Sequence, residues 1–409
     1  MKDHIIIIGG GALTMPAYRI AREELGLGII AFDGNSATEG MRYADLAVEV
    51  STKDMLGAAK AARSIADDLS VVGVFTCGAD VEITVAAVAD ALGLPGVSMD
   101  VARRCNDKVL MHRHLDAMGF AAKPNYAVSD SVADAVKSAE LIGFPCMVKP
   151  VDNCASRGVQ RADDSVQLAD AFELAAQFNI DQTAGVLIEQ CLLGSKHTVE
   201  MVTFNGQWHL LSIIDTHYIS LRWPCETGLN TTILSEQEQD RLFDFAVSAA
   251  KAIGINYGAH KVDINLSPSG EIGLIELTAR LSGGFHCQYA SPLAYGSHDI
   301  RAALRLAIGQ PLKMEDIHHR WARGAAVRAL FPEPGRIVSI QGKEGALKLP
   351  GVQEVFIWAA IGDHVGPYRN SADRFAFIIT DGETPEDAIR NAEVAAGVIN
   401  IETLPSKGA

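Results

Sequence analysis

Residues 260–284 read HKVDINLSPSGEIGLIELTARLSGG. Two apolar runs, HKVDINL and GLIELTA, each carry one acid, and the turn SPSG joins them. Paired as hairpin strands, they project Asp263 and Glu276, thirteen residues apart, from one face of adjacent strands. Two converging carboxylates suit a hard divalent cation such as Mg2+, which takes oxygen ligands and keeps waters that phosphate oxygens can replace. The plainer reading is two solvated acids on the polar face of a sheet. Arg280 lies four residues after Glu276, beside a flexible SGG, and favours the first reading. A guanidinium next to a carboxylate-bound metal can hold a transferring phosphoryl group or an acyl phosphate.

A second group is cationic. Lys149 ends the apolar run PCMVK, and the turn after it, PVDNCASRGV, offers the backbone N–H groups of Ser156 and Gly158 and the charge of Arg157 to a phosphate. Lys108, in CNDKVLMHRHL, begins a helix upstream. In a third segment, GVLIEQCLLGSKHTVE, a strand ends at Glu189 and Gln190. Its backbone through Cys191 to Leu192 can meet an adenine edge, with His197 or Glu200 reaching ribose or metal. Taken alone, that segment reads as a core strand followed by a polar loop.

The first hundred residues alternate continuous apolar runs (HIIIIGG, GIIAFDG, VVGVFTCG) with amphipathic helical stretches, which predicts an open, doubly wound parallel sheet. The turn GGGALT after the first run, with Asp33 ending the second, departs from a dinucleotide fingerprint because Thr14 stands where a third glycine packs helix on strand. A tight strand-to-helix turn is expected there. From about residue 122 the pattern becomes α+β. It includes a hairpin around Asn205-Gly206 and a helix, SEQEQDRLFDFAVSAAKAIG, that opens on a capping serine. After ALRLAIGQP the chain is strand-rich with a final helix. We expect three domains: 1–105, α/β; 106–310, with a lid subdomain at about 122–190; and a small α+β domain from 311 to 409.

A formal charge of -15, from 35 Lys plus Arg against 50 Asp plus Glu, disfavours a nucleic-acid partner. No apolar run approaches a membrane span, and a cytoplasmic protein is expected. The seven cysteines are scattered and never spaced as CxxC, which predicts reduced, mostly buried thiols.

With these residues in order, the chain resembles the ATP-grasp superfamily, specifically the carboxylate–amine ligases, from residue 1 to about 310. FPCMVKPVDNCASRGV is similar to the family's strand and mobile phosphate loop, LIEQCLLGSKHTVE to its hinge, and KVDINLSPSGEIGLIELTARLSGG to its metal-binding hairpin. The resemblance implies an ATP-grasp fold with ATP held between two α+β subdomains. Lys108 and Lys149 would lie on the phosphates, with Glu189, Gln190, Cys191 and Leu192 against adenine. One or two Mg2+ ions, or Mn2+, would sit on Asp263 and Glu276. It implies an acyl phosphate attacked by an amine, with Arg280 steadying the oxyanion. Two departures stand out. Thr278 replaces the family's usual Asn in the metal set, and Lys196 occupies the place of a ribose-binding Glu, which makes His197 the substitute candidate.

The resemblance places the acceptor pocket at DTHYISLRWPCETGLNTTIL and just after Arg280. Arg222 would meet a substrate carboxylate and Glu226 an ammonium or metal, with Gly283, Gly284 and His286 lining the pocket. RGAAVRALFPEPGRIVSIQGKEGALKLPGVQEVFIW is similar to the last domain of L-amino-acid ligases that make dipeptides, so small carboxylate and amine substrates are implied, and a homodimer as a family-level expectation. The alternatives are a purine-pathway relative (formate-dependent glycinamide ribonucleotide transformylase or aminoimidazole ribonucleotide carboxylase), a biotin carboxylase, or a non-catalytic nucleotide-binding protein.

Overall fold

The computed structural model describes residues 2–220, 222–317 and 323–405. Leu221, inside the stretch expected to form the acceptor pocket, lies outside the described residues. Four strands, β1 (Asp3–Ile8), β2 (Gly28–Asp33), β3 (Leu46–Glu49) and β4 (Ser70–Phe75), form a parallel sheet in the order β3-β2-β1-β4. The four isoleucines of β1 show why the run is unbroken. Ile5 and Ile7 enter one core cluster while Ile6 and Ile8 enter another, so both faces of the strand are covered. The glycine turn behaves as a tight turn: Asp33 is used up accepting hydrogen bonds from the backbone N–H groups of Gly10 (2.7 Å) and Asn35 (2.8 Å).

A second sheet, β5 (Tyr126–Ser129), β6 (Cys146–Pro150), β7 (Gln160–Ala162) and β8 (Val186–Gln190), is antiparallel in the order β5-β8-β6-β7. Helices Val132–Ile142 and Ser165–Phe178 bury Ala135, Ala139, Leu168 and Phe172 against it. The loop between β6 and β7 is the expected phosphate loop.

The largest sheet holds β9 (Ser195–Phe204), β10 (Gln207–Tyr218), β11 (Glu226–Thr231), β12 (Gly258–Leu266), β13 (Ile272–Thr278), β14 (Gly324–Ala329), β16 (Val352–Ile357) and β18 (Ala376–Gly382), in the order β13-β12-β9-β10-β11-β14-β18-β16. β9 turns into β10 at Asn205-Gly206, both with positive φ, as that dipeptide favours. Helix Glu236–Ile253, opened by a reciprocal Ser235–Glu238 capping box, lays Leu242, Ala246 and Ile253 on Val199, Met201, Ile213, Val262 and Ile264. That contact fixes which residues of β9 and β12 face away from the helix, towards the second sheet. A small sheet, β15 (Gly335–Gln341), β17 (His364–Val365) and β19 (Asn400–Leu404), completes the chain. The three-domain division at 105 and 310 is kept as a proposal, since β14, β18 and β16 continue the large sheet without a break in pairing.

Candidate functional site

The hairpin forms with Asp263 directly opposite Glu276 and Lys261 directly opposite Thr278. Asp263 also faces Thr198 of β9, whose hydroxyl donates to its carboxylate at 2.7 Å. Lysines thread between the acids. Lys196 Nζ is 3.0 Å and Lys261 Nζ 2.9 Å from Asp263 Oδ2, Lys261 Nζ is 3.4 Å from Glu276 Oε1, and Lys108 Nζ is 3.8 Å from Glu276 Oε2. Lys108 also donates to the carbonyl of Asn153 in the phosphate loop at 2.8 Å. The result is a chain of alternating charge that runs from β9 to that loop.

Charge fixes the protonation of the acids. Burial pushes the Asp263 carboxyl up, but Lys196 and Lys261, with hydrogen bonds from Lys261 and Thr198, outweigh it and hold it well below the usual carboxylate range. Glu276 is lowered in the same way: burial opposes, while Lys261 and Lys108 prevail. Both are therefore ionised at neutral pH. Lys196 is raised in turn, because Asp263, Tyr218 and Glu226 overcome its burial.

These residues fit a hard cation. Both acids are ionised on one face, and the Thr278 hydroxyl is buried without a hydrogen-bond partner among the described residues, leaving an oxygen ready to serve as a ligand. The donor set is all oxygen, as Mg2+ requires. A cation held by Asp263 and Glu276 would compete with Lys196 and Lys261 for the Asp263 carboxylate.

Lys149, on β6, forms an ion pair with Glu189 of β8, and His112 Nε2 lies 2.7 Å from the other Glu189 oxygen. Burial would push Glu189 up, yet the Lys149 ammonium and the His112 hydrogen bond bring it down to about 2. The Glu189 side chain therefore anchors Lys149, which leaves the backbone of residue 189 and the following residues to meet a base. Asn265 Nδ2 contacts the Leu192 carbonyl at 3.5 Å, tying that hinge to β12. In the phosphate loop, Ala155, Ser156 and Gly158 all have positive φ, and Ser371 donates its backbone N–H to the Ala155 carbonyl at 3.0 Å. Arg157 leans back on Cys154, 3.4 Å from its sulfur.

Arg280 is buried and held by two acids from the N-terminal sheet's side of the molecule: it pairs with Asp80, and its Nε lies 3.0 Å from Glu82. The loop Ser282–Gly284 carries Arg280 to them. Gly283 lies against Gly78 in ordinary van der Waals contact, and Gly284, with φ +65, shapes the loop. Glu200 accepts the Ser282 N–H, and His286 sits 2.9 Å from Ser212 and 3.4 Å from Glu200 in the interior. Burial brings His286 down to about 4 and raises Glu200 to about 7, so the histidine is neutral at ordinary pH. It supports the Arg280 loop from behind.

One expectation is corrected by the geometry. His197 does not reach the site: it lies on the helix-facing side of β9 with Val199 and Met201, between Ser195 (2.6 Å) and Asp215 (2.7 Å). Lys196, its neighbour, points to the site instead. Arg222 is exposed, and its carbonyl accepts from the Arg161 N–H of β7; its role towards a substrate carboxylate stays a proposal. Glu226 does reach the cluster, but its carboxylate meets Lys196 (3.6 Å) and Arg374 (3.3 Å), so its charge is already matched. Residues the sequence reading left out are Lys261, Thr198, His112, Asp80, Glu82 and Arg374. The alternation of SKHTVE, with Val199 in the core, is the signal that could have excluded His197 and selected Lys196 and Thr198. All seven cysteines are free thiols. No helix among the described residues is long and apolar enough to cross a membrane.

Comparison with known proteins agrees with this architecture. Residues 142–288 match the ATP-grasp domain, and residues 328–404 match the L-amino acid ligase C-terminal domain 2. An uncharacterised protein of Sinorhizobium fredii is 24% identical over 318 residues, 76% of this chain and 63% of its own length. The D-alanine–D-alanine ligase of Pseudomonas putida is 27% identical over 201 residues, 46% of this chain and 59% of its own. The chain thus spans less than two thirds of both relatives. The crystal structure of an L-amino acid ligase from Bacillus licheniformis superposes with a TM-score of 0.84 at 22% identity, covering 99% of each chain. The chain therefore has the ATP-grasp fold, with residues 142–288 similar to the ATP-grasp domain and residues 328–404 similar to the L-amino acid ligase C-terminal domain 2.

Proposed function

We propose that this protein is an ATP-dependent ligase that activates a carboxylate, that of an amino acid, as an acyl phosphate and couples it to an amine, releasing ADP and phosphate. The observation that carries this reading is the chain Lys196–Asp263–Lys261–Glu276–Lys108, which sets alternating charge beside the phosphate loop and within one hairpin of Arg280. The match of residues 328–404 to the L-amino acid ligase domain supports amino acids over ribonucleotides as substrates.

Lys108 and Lys149 would hold the phosphates, with the backbone N–H groups of Ser156 and Gly158 over them, and the 189–192 backbone would meet the base. Asp263, Glu276 and Thr278 would hold Mg2+, which when bound offsets phosphate charge and polarises the transferring group. A substrate carboxylate oxygen attacks the γ-phosphorus and ADP leaves. The amine nitrogen then attacks the acyl carbon, and the C–O bond to phosphate breaks. Arg280, oriented by Asp80 and Glu82, would stabilise the charge that develops on the acyl oxygen. No protein nucleophile takes part. Action in the cytoplasm, as a homodimer, belongs to the same proposal.

The test is phosphate release from Mg-ATP across a matrix of amino acids, other carboxylates and amines, with products identified by mass. Amide formation from an amino acid supports the reading. Turnover only with glycinamide or aminoimidazole ribonucleotide would replace it with a purine-pathway activity.

A further inference from the structure

Lys196 departs from the resembled pattern, and the ligase reading gives it no task of its own. It stands on β9, opposite Asn265 of β12 on one side and Thr216 of β10 on the other. Asp263 lies two residues from Asn265 on β12, and Tyr218, two residues from Thr216, is paired with Glu226 of β11. Alternation along the strands puts Lys196, Asp263 and Tyr218 on one face of the sheet. Lys196 Nζ is 3.0 Å from Asp263 Oδ2, 3.6 Å from Glu226 Oε1 and 5.6 Å from the centre of the Tyr218 ring. One ammonium thus stands between two acids that come from opposite sides of its strand.

Both oxygens of Asp263 are engaged: Oδ1 accepts from Thr198, and Oδ2 carries Lys196 and Lys261 together. A cation that binds Asp263 has to contest an ammonium, and the two lysines differ in what else they can hold. Lys261 has Glu276 as its second acid, 3.4 Å away, and Glu276 belongs to the same proposed metal set. Lys196 has Glu226, which lies outside that set and is more open, its side chain 25% exposed against 6% for Asp263. Arg374 meets the other oxygen of Glu226 at 3.3 Å and donates from Nε to the Ser371 carbonyl at 2.8 Å, so this second acid is held in place. Burial opposes ionisation of Glu226, but Lys196 and Arg374 prevail and keep its carboxyl below the usual range.

Resting on the ligase reading above, we propose that Lys196 is an internal counter-ion of the metal site, that it turns from Asp263 to Glu226 when a divalent cation binds, and that Glu226 is the positioning residue that receives it. The ammonium keeps a carboxylate partner in both positions, so neither requires a bare buried charge. The Tyr218 ring offers an electron-rich face beside the ammonium throughout. The affinity of the site for a divalent cation is then set by the difference between two ion pairs, one of which lies outside the metal set. Lys261, whose second acid is itself a metal ligand in this reading, has no such exchange available.

The experiment measures Mn2+ binding to the full-length protein without nucleotide, from the electron paramagnetic resonance signal of the free ion. Lys196→Met should tighten binding by at least about tenfold, because it removes one like charge a few ångström from the ion. Lys196→Gln, which leaves Asp263 a hydrogen-bond donor, is measured beside it and should tighten binding too. Glu226→Gln should weaken binding by at least about threefold, because Lys196 has lost its second acid. With Lys196→Met already in place, Glu226→Gln should change the affinity by less than about twofold. A Glu226 that acted only as a nearby negative charge would weaken binding equally in both backgrounds. That result, or no tightening in either Lys196 variant, would overturn the assignment and leave the ligase reading standing. Binding that Asp263→Asn does not weaken would remove the metal site, and this inference with it.

Discussion

Asp263 and Glu276 are direct cross-strand partners and share one ammonium, that of Lys261. Two ionised carboxylates on adjacent strands would repel each other if bare, and the lysine between them is what lets them coexist on one face.

Asp263→Asn and Glu276→Gln are expected to reduce kcat by at least about a hundredfold, with circular dichroism unchanged; Asp263→Asn should also lower the thermal midpoint, because it leaves Lys196 and Lys261 short of a buried carboxylate. Steady-state phosphate release checks this. Full activity in both variants would place the phosphate-transfer site elsewhere.

Thr278 makes a graded prediction. Its hydroxyl has no partner among the described residues and supplies a weaker ligand than an amide oxygen would. Thr278→Asn should lower the Mg2+ concentration needed for half-maximal rate severalfold, and Thr278→Val should raise it. A metal titration that fails to separate the three proteins would remove Thr278 from the metal set.

Glu189 links the site to acid stability. Its carboxyl lies at about 2 in the folded chain against an ordinary value of 4.5, so the folded state binds its proton less readily than the unfolded state does. The stabilisation is complete above about pH 5 and is lost as pH falls from there towards 2. It amounts to about 3 kcal/mol at most. Urea unfolding at several pH values should show this loss. In Lys149→Met it should be markedly smaller, because the charge that lowers Glu189 is gone.

His197, placed behind the sheet, should act on stability alone. His197→Ala is expected to cost about 1–3 kcal/mol by leaving buried Asp215 short of a partner, with the KM for ATP unchanged. A raised KM with unaltered stability would return His197 to the nucleotide site.

What the chain reveals before folding follows from how local each feature is. The β1 isoleucines, the Asn205-Gly206 turn, the Ser235 cap and the acids of the hairpin all lie in patterns a few residues long, and each took the expected form. Arg280 was visible, but its partners Asp80 and Glu82 come from the far side of the chain and had no local mark. Lys261 and Thr198 were likewise hidden, because only cross-strand register shows which lysine and which hydroxyl meet Asp263. His197 misled because chemistry was weighed without parity. A strand allows one of two neighbours to face the site, and Val199 had already assigned His197 to the other side.

The bond from Ser371 to the Ala155 carbonyl has a consequence for timing. Ala155 sits at the bend of the loop expected to fold over the phosphates, while Ser371 belongs to a turn that also contacts β11 through Glu226 and Arg374. The loop is thus latched to the end of the chain that matches the L-amino acid ligase domain. If the proposed ligase lifts this loop to exchange nucleotide, that latch has to open first, and the C-terminal region would then pace each cycle.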